Sequence, residues 1–487
     1  MPEQQYDLIV IGAGPGGYVA AIRAAQLGMK VLIVEKRSVP GGVCLNEGCI
    51  PSKALLESSE HFAMAGRDLA RHGVIVDAPR FDLKVMMERK AEIVAGLAAG
   101  VSFLLKKNGV SLLHGSASIV DRNQYGYYRV SVMLGDESSV DSPVEQRQTV
   151  DSVLSIFIAK RILLATGSEA VPLPGMPFDG VTVVSASDAL GFAQVPERLL
   201  VVGGGFIGLE LASVWQRLGA RVTIIEAAPR VLPGADSQIS EMLLRQLRKQ
   251  GLEFMLGASV QGVCSTDGST KARVIYGEAQ QEMECDRLLV AVGRRPATSG
   301  LGLEQFAVAR DVGGRLQVDA YYQTTASGIY AVGDLVPGPM LAHKASAEAV
   351  ACVERMSGQA STVDYDLIPS TVYTNPEAAF IGKSEEQLKE AGVAYRCGRF
   401  NFYSSGRARC MGLTDGFVKV LAHAETDQLL GVHIVGRHAS ELIAEASALM
   451  TFGATARDLT VICHAHPTLS EVLKEAALNA HNEAIHA

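Results

Sequence analysis

Two cysteines near the start of the chain have a spacing and a setting suited to redox chemistry. Cys44 and Cys49 lie in the run GGVCLNEGCIPSK, which covers residues 41–53. The glycines before them allow a tight turn, and Pro51 suits the first turn of a helix. A helix N-terminus favours a nearby thiolate, because its free N–H groups carry partial positive charge. One of the two sulfurs is therefore a candidate nucleophile or electron donor.

The cysteine pair by itself does not decide between two interpretations. Two reduced cysteines in a packed turn are the commoner finding inside cells, and short motifs give many false matches. Eight cysteines in 487 residues are too few for a disulfide scaffold, so we expect a reducing, cytoplasmic setting. The remaining cysteines have no partner at motif spacing and are interpreted as core or surface thiols: Cys264, Cys285, Cys352, Cys397, Cys410 and Cys463.

A glycine-rich turn upstream of the cysteines predicts a dinucleotide site. An apolar strand at residues 6–11 leads into the motif GxGxxG, and a helix and a second strand follow. Gly12 permits the tight turn, Gly14 lets the backbone approach a pyrophosphate, and Gly17 lets the helix pack on the strand. The pyrophosphate would lie at the helix N-terminus, and Glu35 would accept a hydrogen bond from a ribose hydroxyl.

The same unit occurs a second time. Its three glycines follow a short apolar strand and are Gly203, Gly205 and Gly208. Glu226 follows Gly203 by the 23 residues that also separate Glu35 from Gly12. Two dinucleotide sites are therefore expected. Because an acid rather than an arginine stands where the ribose 2′ position would lie, we expect NAD rather than NADP at the second site.

Strand ends and segment patterns outline the rest of the fold. Apolar strands at residues 161–165, 287–292 and 328–332 end in small or acidic residues, as ligand-binding strands of α/β sheets do, although ordinary strand ends would look the same. The polar residues 136–148 predict an exposed hairpin loop. From about residue 350, alternating strand patterns mix with helices and carry no nucleotide motif, which indicates a separate α+β domain.

Composition excludes several classes of protein. Hydrophobic residues make up 48% and charged residues 20%, which supports sizeable cores and argues against disorder. The net charge of −8 gives no electrostatic footprint for nucleic acid. Glycines and a serine break the best apolar run, residues 93–105, so we expect no membrane insertion. The first residues lack the basic region of a signal peptide.

Taken together, the motifs resemble a known family. The run at residues 41–53, the two GxGxxG units and the sequence HPTLSE at 466–471 identify the chain as a member of the flavin-dependent pyridine nucleotide–disulfide oxidoreductases. The resemblance covers the whole chain and implies an α/β fold with two Rossmann-like dinucleotide-binding domains, for FAD and NAD, plus a C-terminal α+β dimerisation domain. The implied boundaries are 1–164 for the FAD-binding domain, 165–286 for the NAD-binding domain, 287–352 for a central domain that completes the FAD site, and 353–487 for the dimerisation domain.

The resemblance also implies the residues of both cofactor sites. The FAD site would comprise Gly12, Gly14, Gly17, Glu35, Lys53, Gly115, Thr166, Gly167, Ser168, Asp334 and the turn Met340, Leu341, Ala342 and His343. The NAD site would comprise Gly203, Gly205, Gly208, Glu226, Val260 and Gly293. No metal site is implied. Val43 stands where many members have threonine, and the stretch 136–156 looks longer than usual for the family.

The implied reaction is the oxidation of protein-bound dihydrolipoamide to lipoamide with reduction of NAD to NADH. A substrate thiol must lose a proton, and His466 is the natural base because imidazole titrates near the operating pH. Glu471 would orient the imidazole and stabilise its cation. The substrate thiolate would attack Cys44 and release Cys49 as a thiolate, which would pass the electron pair to the flavin.

Taken one at a time, some of these residues also fit interpretations without a catalytic role. Lys53 would place positive charge beside the flavin and pair with Glu210, but alone it would suit a solvated helix lysine. His466 alone would suit a surface histidine before Pro467, and His464 is at most a supporting residue.

Cys44 and His466 lie near opposite ends of the chain. The resemblance implies a homodimer in which they meet across the two-fold interface, so that each active site takes its base from the other subunit. The expected partner is a lipoyl-bearing acyltransferase or the carrier protein of glycine cleavage, and the sequence does not decide which. One alternative is another flavin disulfide reductase, acting on glutathione or mercuric ion. Glu226 and the lack of a C-terminal cysteine pair count against it. A second alternative, a non-catalytic subunit that keeps FAD for folding, would need damaged redox residues.

Overall fold

The computed structural model describes residues 4–134, 154–266 and 269–486. The α-helices of this part of the chain are, in order, α1 (Pro15–Gln26), α2 (Gly42–Glu47), α3 (Cys49–Arg67), α4 (Leu83–Lys107), α5 (Ala186–Ala189), α6 (Phe206–Arg217), α7 (Ser237–Lys249), α8 (Ala342–Met356), α9 (Glu385–Glu390), α10 (Gly406–Met411), α11 (Ala439–Thr451), α12 (Ala456–Val461) and α13 (Glu471–Ala480).

The β-strands of the described residues are likewise numbered along the chain. They are β1 (Gln4–Ile11), β2 (Val31–Glu35), β3 (Ser111–Arg122), β4 (Tyr128–Leu134), β5 (Leu154–Leu164), β6 (Ser168–Ala170), β7 (Val183–Val184), β8 (Arg198–Val202), β9 (Arg221–Glu226), β10 (Glu253–Leu256), β11 (Ala258–Thr266), β12 (Ser269–Tyr276), β13 (Ala279–Cys285), β14 (Arg287–Val290), β15 (Arg294–Pro296), β16 (Ile329–Ala331), β17 (Ser370–Val372), β18 (Glu377–Gly382), β19 (Tyr395–Asn401), β20 (Phe417–His423) and β21 (Leu429–Gly436).

The first compact unit contains residues 1–51, 88–171 and 293–363. Its main sheet has five parallel strands in the order β3–β2–β1–β5–β16, and β4 adds antiparallel pairing to β3 and β5. Helices α1 and α8 pack together, and the small residues Ala20, Ala21 and Ala24 are fully buried on α1. Because the strands are parallel, Gly12, Glu35 and the residues after β5 and β16 all lie at one edge of the sheet.

The second compact unit contains residues 52–87, 172–292 and 364–487. It has a parallel sheet in the order β10–β9–β8–β14–β7 and a small antiparallel sheet, β11–β12–β13. A third sheet, β17–β18–β21–β20–β19, is antiparallel throughout and packs against α11 and α13. The second glycine motif follows β8, and Glu226 is the last residue of β9.

The predicted fold class is confirmed, and a few elements differ from the sequence prediction. Residues 365–372 have one of the alternating strand patterns, but only Ser370–Val372 forms a strand, because Tyr365–Leu367 forms a short 3₁₀-helix and Pro369 has no N–H for a strand ladder. The strand Glu377–Gly382 was not predicted. The loop predicted at 136–148 lies outside the described residues, and the boundaries of the four domains stay predictions. Within the part of the chain that the structure describes, no helix is long and apolar enough to cross a membrane.

Candidate active site

The two motif cysteines lie on either side of a break between two helices. Helix α2 begins after Gly41, whose φ of +110° is left-handed, and ends before Gly48. Cys44 lies half-buried in α2, and the exposed Cys49 is the first residue of the 19-residue helix α3. The helix begins two residues before Pro51, so Pro51 lies in its first turn, as predicted. Cys49 therefore has the helix N-terminal setting that favours a thiolate.

A cleft of about 280 Å³ opens beside Cys44 within the first unit. Its wall includes Tyr18, Leu97, Val101 and His343. Burial raises the pKa of the Tyr18 phenol, and the neighbouring Cys44 raises it further, so the phenol keeps its proton. A cleft with mostly apolar walls and a sulfur at its side suits an apolar chain that carries a thiol.

The first glycine motif forms a tight, crowded turn. Gly12 has φ of +100°, and a Cβ there would lie 2.5 Å from the carbonyl oxygen of Ala165. A Cβ at Gly17 would lie 1.8 Å from the carbonyl oxygen of Gly12, so helix α1 packs directly on the turn. The nearest atom to a Cβ at Gly14 would be 3.8 Å away. Glu35 accepts from Ala13 N–H (2.7 Å), which fixes the acid against the turn.

A second group of predicted residues meets at the ends of β5 and β16. Ser168 Oγ donates to Asp334 Oδ2 and accepts from Arg294 Nε at 2.7 Å, while Arg294 Nη2 donates to the Ser168 carbonyl at 2.6 Å. Burial lowers the pKa of Arg294, and the negative charges of Asp334 and Cys49 offset this only in part. Thr166 Oγ1 donates to the Ala297 carbonyl at 2.6 Å. The prediction missed Arg294, which follows Gly293 at a strand end that the sequence did mark.

The remaining predicted FAD residues lie on β3, after β5 and at the start of α8. Gly115 lies on β3, where a Cβ would be 2.6 Å from the Met133 carbonyl oxygen. Gly167 has φ of +71°. Leu341 is the N-cap of α8, so Met340 precedes the helix and Ala342 and His343 are its first two residues. Lys344 and Glu348 lie further along this helix and form a buried ion pair. Neither residue was predicted to belong to the site.

The second glycine motif has the geometry of the first. Gly203 has φ of +112°, and a Cβ at Gly208 would lie 2.0 Å from the Gly203 carbonyl oxygen. A Cβ at Gly205 would meet no atom within 4 Å, so this position leaves open space at the helix N-terminus. Glu226 accepts from Gly204 N–H at 2.6 Å and from Ala228 N–H at 2.7 Å.

Of the other predicted NAD residues, Val260 is buried on β11, and Gly293, with φ of +145°, falls in the first compact unit.

Lys53 has the partner that was predicted for it. Its Nζ lies 2.7 Å from Glu210 Oε2 and 4.4 Å from the centre of the Tyr373 ring. The Tyr373 N–H donates to Glu210 Oε1 at 3.0 Å. Lys53 is therefore held on two sides and is not a freely solvated helix lysine.

His466 and Glu471 form a hydrogen-bonded pair at the start of α13. His466 Nδ1 lies 2.9 Å from Glu471 Oε1, and Glu471 Oε2 accepts from Thr468 N–H at 2.8 Å. Burial acts to raise the pKa of Glu471, but the hydrogen bonds from Thr468 and His466 outweigh it and lower the pKa. The His466 side chain is 79% exposed. His464 is buried instead and pairs with Glu445 at 2.7 Å, which indicates a supporting structural role.

Both glycine turns fit a dinucleotide. Each has a helix N-terminus behind an uncrowded second glycine and a carboxylate at the end of the neighbouring strand, which are the features that hold a pyrophosphate and a ribose. The described residues contain no group of three or more His, Cys, Asp or Glu side chains able to hold a metal ion. Cys44 and Cys49 belong to the first unit and His466 to the second, and their meeting across two copies of the chain stays a prediction.

Comparison with protein families gives two matches that together span most of the chain. The model described as pyridine nucleotide-disulphide oxidoreductase matches residues 6–349, and the dimerisation domain of the same family matches residues 368–477.

Individual relatives agree with these family matches. The chain is 44% identical to a mitochondrial dihydrolipoyl dehydrogenase of Pisum sativum, over 99% of this chain and 92% of the relative. It is 46% identical to the mitochondrial dihydrolipoyl dehydrogenase of Caenorhabditis elegans, over 98% and 93%. A leghemoglobin reductase of Glycine max is 44% identical over 98% and 88%. Among solved structures, LpdA from Mycobacterium tuberculosis superposes with a TM-score of 0.87 at 26% identity, over 97% of this chain and 99% of that one.

Proposed function

Because the chain belongs to the pyridine nucleotide-disulphide oxidoreductase family, we propose that it oxidises protein-bound dihydrolipoamide to lipoamide and reduces NAD to NADH. The observation that carries the proposal is the cysteine pair on either side of the break between α2 and α3. It occurs in a chain that is 44% and 46% identical to two dihydrolipoyl dehydrogenases over nearly its full length. The family implies FAD and a pyridine nucleotide, and the acid at Glu226 favours NAD over NADP for the latter.

The proton chemistry is assigned to the His466–Glu471 pair. With Nδ1 bound to Glu471, the imidazole presents Nε2 to solvent, where it takes a proton from a substrate thiol. Glu471 stabilises the imidazolium that results, as the acid of a catalytic triad does. The lowered pKa of Glu471 keeps it ionised near neutral pH, so this support is available where the enzyme works.

The sulfur chemistry is assigned to Cys44 and Cys49. The substrate thiolate attacks Cys44 Sγ, which breaks the Cys44–Cys49 disulfide and leaves Cys49 as a thiolate. The second substrate thiol then attacks the substrate sulfur bound to Cys44, which gives the lipoyl disulfide and releases Cys44, and the proton of that thiol passes to the Cys44 sulfur. FAD, held at the first glycine motif, would supply the two-electron redox chemistry that links the reduced cysteines to NAD. The cleft beside Cys44 would admit the lipoyl arm, and Lys53, held by Glu210, would supply positive charge to a bound flavin.

We assign both copies of the chain to each active site, since a dimerisation domain matches residues 368–477. A mixture of two inactive variants tests this directly. Cys49→Ser and His466→Gln homodimers exchange to give heterodimers, each with one intact site when the sites are shared. Activity recovers to about a quarter of the wild-type value on random exchange. No recovery, with heterodimers verified by two affinity tags, would show that the sites are not shared.

The partner is inferred from the family resemblance and from the dihydrolipoyl group that the names of two relatives give. A lipoyl-bearing acyltransferase or the glycine-cleavage carrier would supply this group. The same two relatives are mitochondrial by name, whereas the few cysteines of this chain favour the cytoplasm, so its compartment stays a prediction.

The decisive experiment combines a spectrum with a cosubstrate comparison. The purified protein is expected to carry a flavin spectrum, to turn over dihydrolipoamide with NAD, and to be at least about tenfold slower with NADP. After reduction, a long-wavelength band should persist in Cys44→Ser and vanish in Cys49→Ser. A colourless protein would refute the proposal that it is a flavoenzyme. Equal rates with NAD and NADP would refute the preference for NAD.

A further inference from the structure

A buried ion pair at the start of α8 has no part in the chemistry assigned so far. Lys344 Nζ lies 3.1 Å from Glu348 Oε1, four residues along the helix, and both side chains are 0% exposed. Burial lowers the pKa of Lys344, and the charge and hydrogen bond of Glu348 counteract this. Such a pair is a poor source of stability, because apolar residues of similar size often do as well. Its presence therefore indicates that the pair holds a neighbouring part of the chain in place.

Both residues of the pair hold the same glycine. The Gly333 N–H donates to Glu348 Oε2 at 2.7 Å, and Lys344 Nζ donates to the Gly333 carbonyl at 2.9 Å. Gly333 follows β16 and has φ of +75°, a conformation that favours glycine. A Cβ at this position would lie 3.1 Å from the Ala345 Cβ, so α8 packs closely on the turn. The donor and the acceptor of this glycine are thus fixed by one turn of one helix.

The next residue along the chain is Asp334. It follows β16 and lies at the same edge of the sheet as the first glycine motif. Its carboxylate accepts from Ser168 Oγ, and Arg294 holds Ser168 by two hydrogen bonds. The backbone of Asp334 is therefore set by the Lys344–Glu348 pair, and its side chain is set by Ser168.

We propose that Lys344 and Glu348 are positioning residues for FAD: they hold Gly333 and so aim the Asp334 carboxylate at a hydroxyl group of the cofactor. The inference rests on the proposed function, since FAD is the group that Asp334 would contact. Neither Lys344 nor Glu348 touches the cofactor, and both act through the Gly333 backbone.

The test measures how fast the holoenzyme releases FAD, followed by the rise of free flavin fluorescence. Lys344→Met/Glu348→Leu removes both bonds to Gly333 without leaving an unpaired charge, and we expect FAD release to be about tenfold faster. Glu348→Gln keeps an oxygen that accepts from the Gly333 N–H. Its rate of FAD release should therefore lie between those of the wild type and the double variant. The triple variant, which adds Asp334→Asn to the double variant, should release FAD only slightly faster than Asp334→Asn alone. This is expected because Lys344 and Glu348 act through the Asp334 carboxylate.

Lys419→Met is the matched control, since Lys419 is likewise a 0% exposed, ion-paired lysine, but lies in the second unit. It should lower the melting temperature without changing FAD release. Release from the double variant within twofold of wild type, or equal acceleration in Lys419→Met, would overturn the inference. A wild-type protein that binds no FAD would instead refute the proposed function, so the two failures are distinguishable.

Discussion

The His466–Glu471 pair fixes an imidazole that still faces solvent. Glu471 is one-third exposed on its side chain, and it accepts a hydrogen bond from the backbone as well as from the ring. The ring is therefore oriented before substrate arrives, which is what a general base for an incoming thiol requires.

We expect His466→Gln to lower kcat/KM for dihydrolipoamide by a factor of about 10² to 10⁴, the usual contribution of a general base. Reduction of the flavin by NADH, measured anaerobically by stopped flow, needs no thiol deprotonation and should be unchanged. His61→Gln is the control, because His61 is also exposed and pairs with a glutamate, Glu57, at 3.3 Å. Equal losses in both half-reactions of His466→Gln would contradict this role.

Helix α3, which begins at Cys49, is tied to helix α6 by two ion pairs of opposite sense. Lys53 pairs with Glu210, and seven residues later on both helices Glu60 pairs with Arg217 at 2.8 Å. A shift of one helix by seven residues would bring like charges together, so the pattern selects one register. The Asn375 side chain also donates to Glu60, which repeats the contact between Tyr373 and Glu210.

A double-mutant cycle on Glu60 and Arg217 tests this register lock. Arg217 is 2% exposed, and each single change, Glu60→Gln or Arg217→Met, leaves its partner buried and should lower the free energy of unfolding by about 3 kcal/mol or more. The double variant should lose less than the sum of the singles, by about 1 kcal/mol or more. Urea denaturation measures all three. Additive losses would mean that the two side chains do not interact.

The second glycine motif separates folding from binding. At Gly208 a Cβ would collide with the Gly203 carbonyl, whereas at Gly205 it would meet no atom within 4 Å. We therefore expect Gly208→Ala to lower the melting temperature. Gly205→Ala should keep it but weaken NAD binding by about tenfold or more, since the added methyl fills the space for a pyrophosphate. Calorimetric titration with NAD would contradict this if Gly205→Ala bound NAD normally.

A buried charge cluster joins three elements of the second unit. Lys419 on β20 lies 2.8 Å from Asp236, the N-cap of α7, and 2.5 Å from Glu385 on α9. Burial acts to raise the pKa of Glu385, but hydrogen bonds from Lys389, Lys419 and Tyr395 lower it to about 2. Burial lowers the pKa of Lys419, but its two acidic partners raise it overall, so the lysine stays charged.

The cluster predicts a particular acid sensitivity. A carboxylate with a depressed pKa stabilises the fold fully above its ordinary pKa of 4.5, and this stability is lost as the pH falls towards about 2. We expect Glu385→Gln to remove a part of the wild-type pH dependence in that window, on the order of 3 kcal/mol. Urea denaturation between pH 2 and 7 measures it. Glu390→Gln, at the exposed end of α9, is the control, and equal effects would contradict the assignment.

The local order of residues was enough to predict the two glycine turns, their terminal acids and the cysteine pair, because each of these depends on neighbours within one strand–turn–helix unit. The bond between Lys53 and Glu210 was also predicted, but from the family rather than from spacing. Pro51 lies in the first turn of α3, as predicted, and the helix begins at Cys49 directly after the break at Gly48.

Only the folded chain brings together groups that are far apart in sequence. Arg294 meets Ser168, and Glu60 meets Arg217, across separations for which no local pattern exists. Lys344 and Glu348 are neighbours on a helix, yet their common partner Gly333 comes from the preceding strand end. Periodicity reports which face of an element is buried. It carries no information about which charged groups that burial will force to pair.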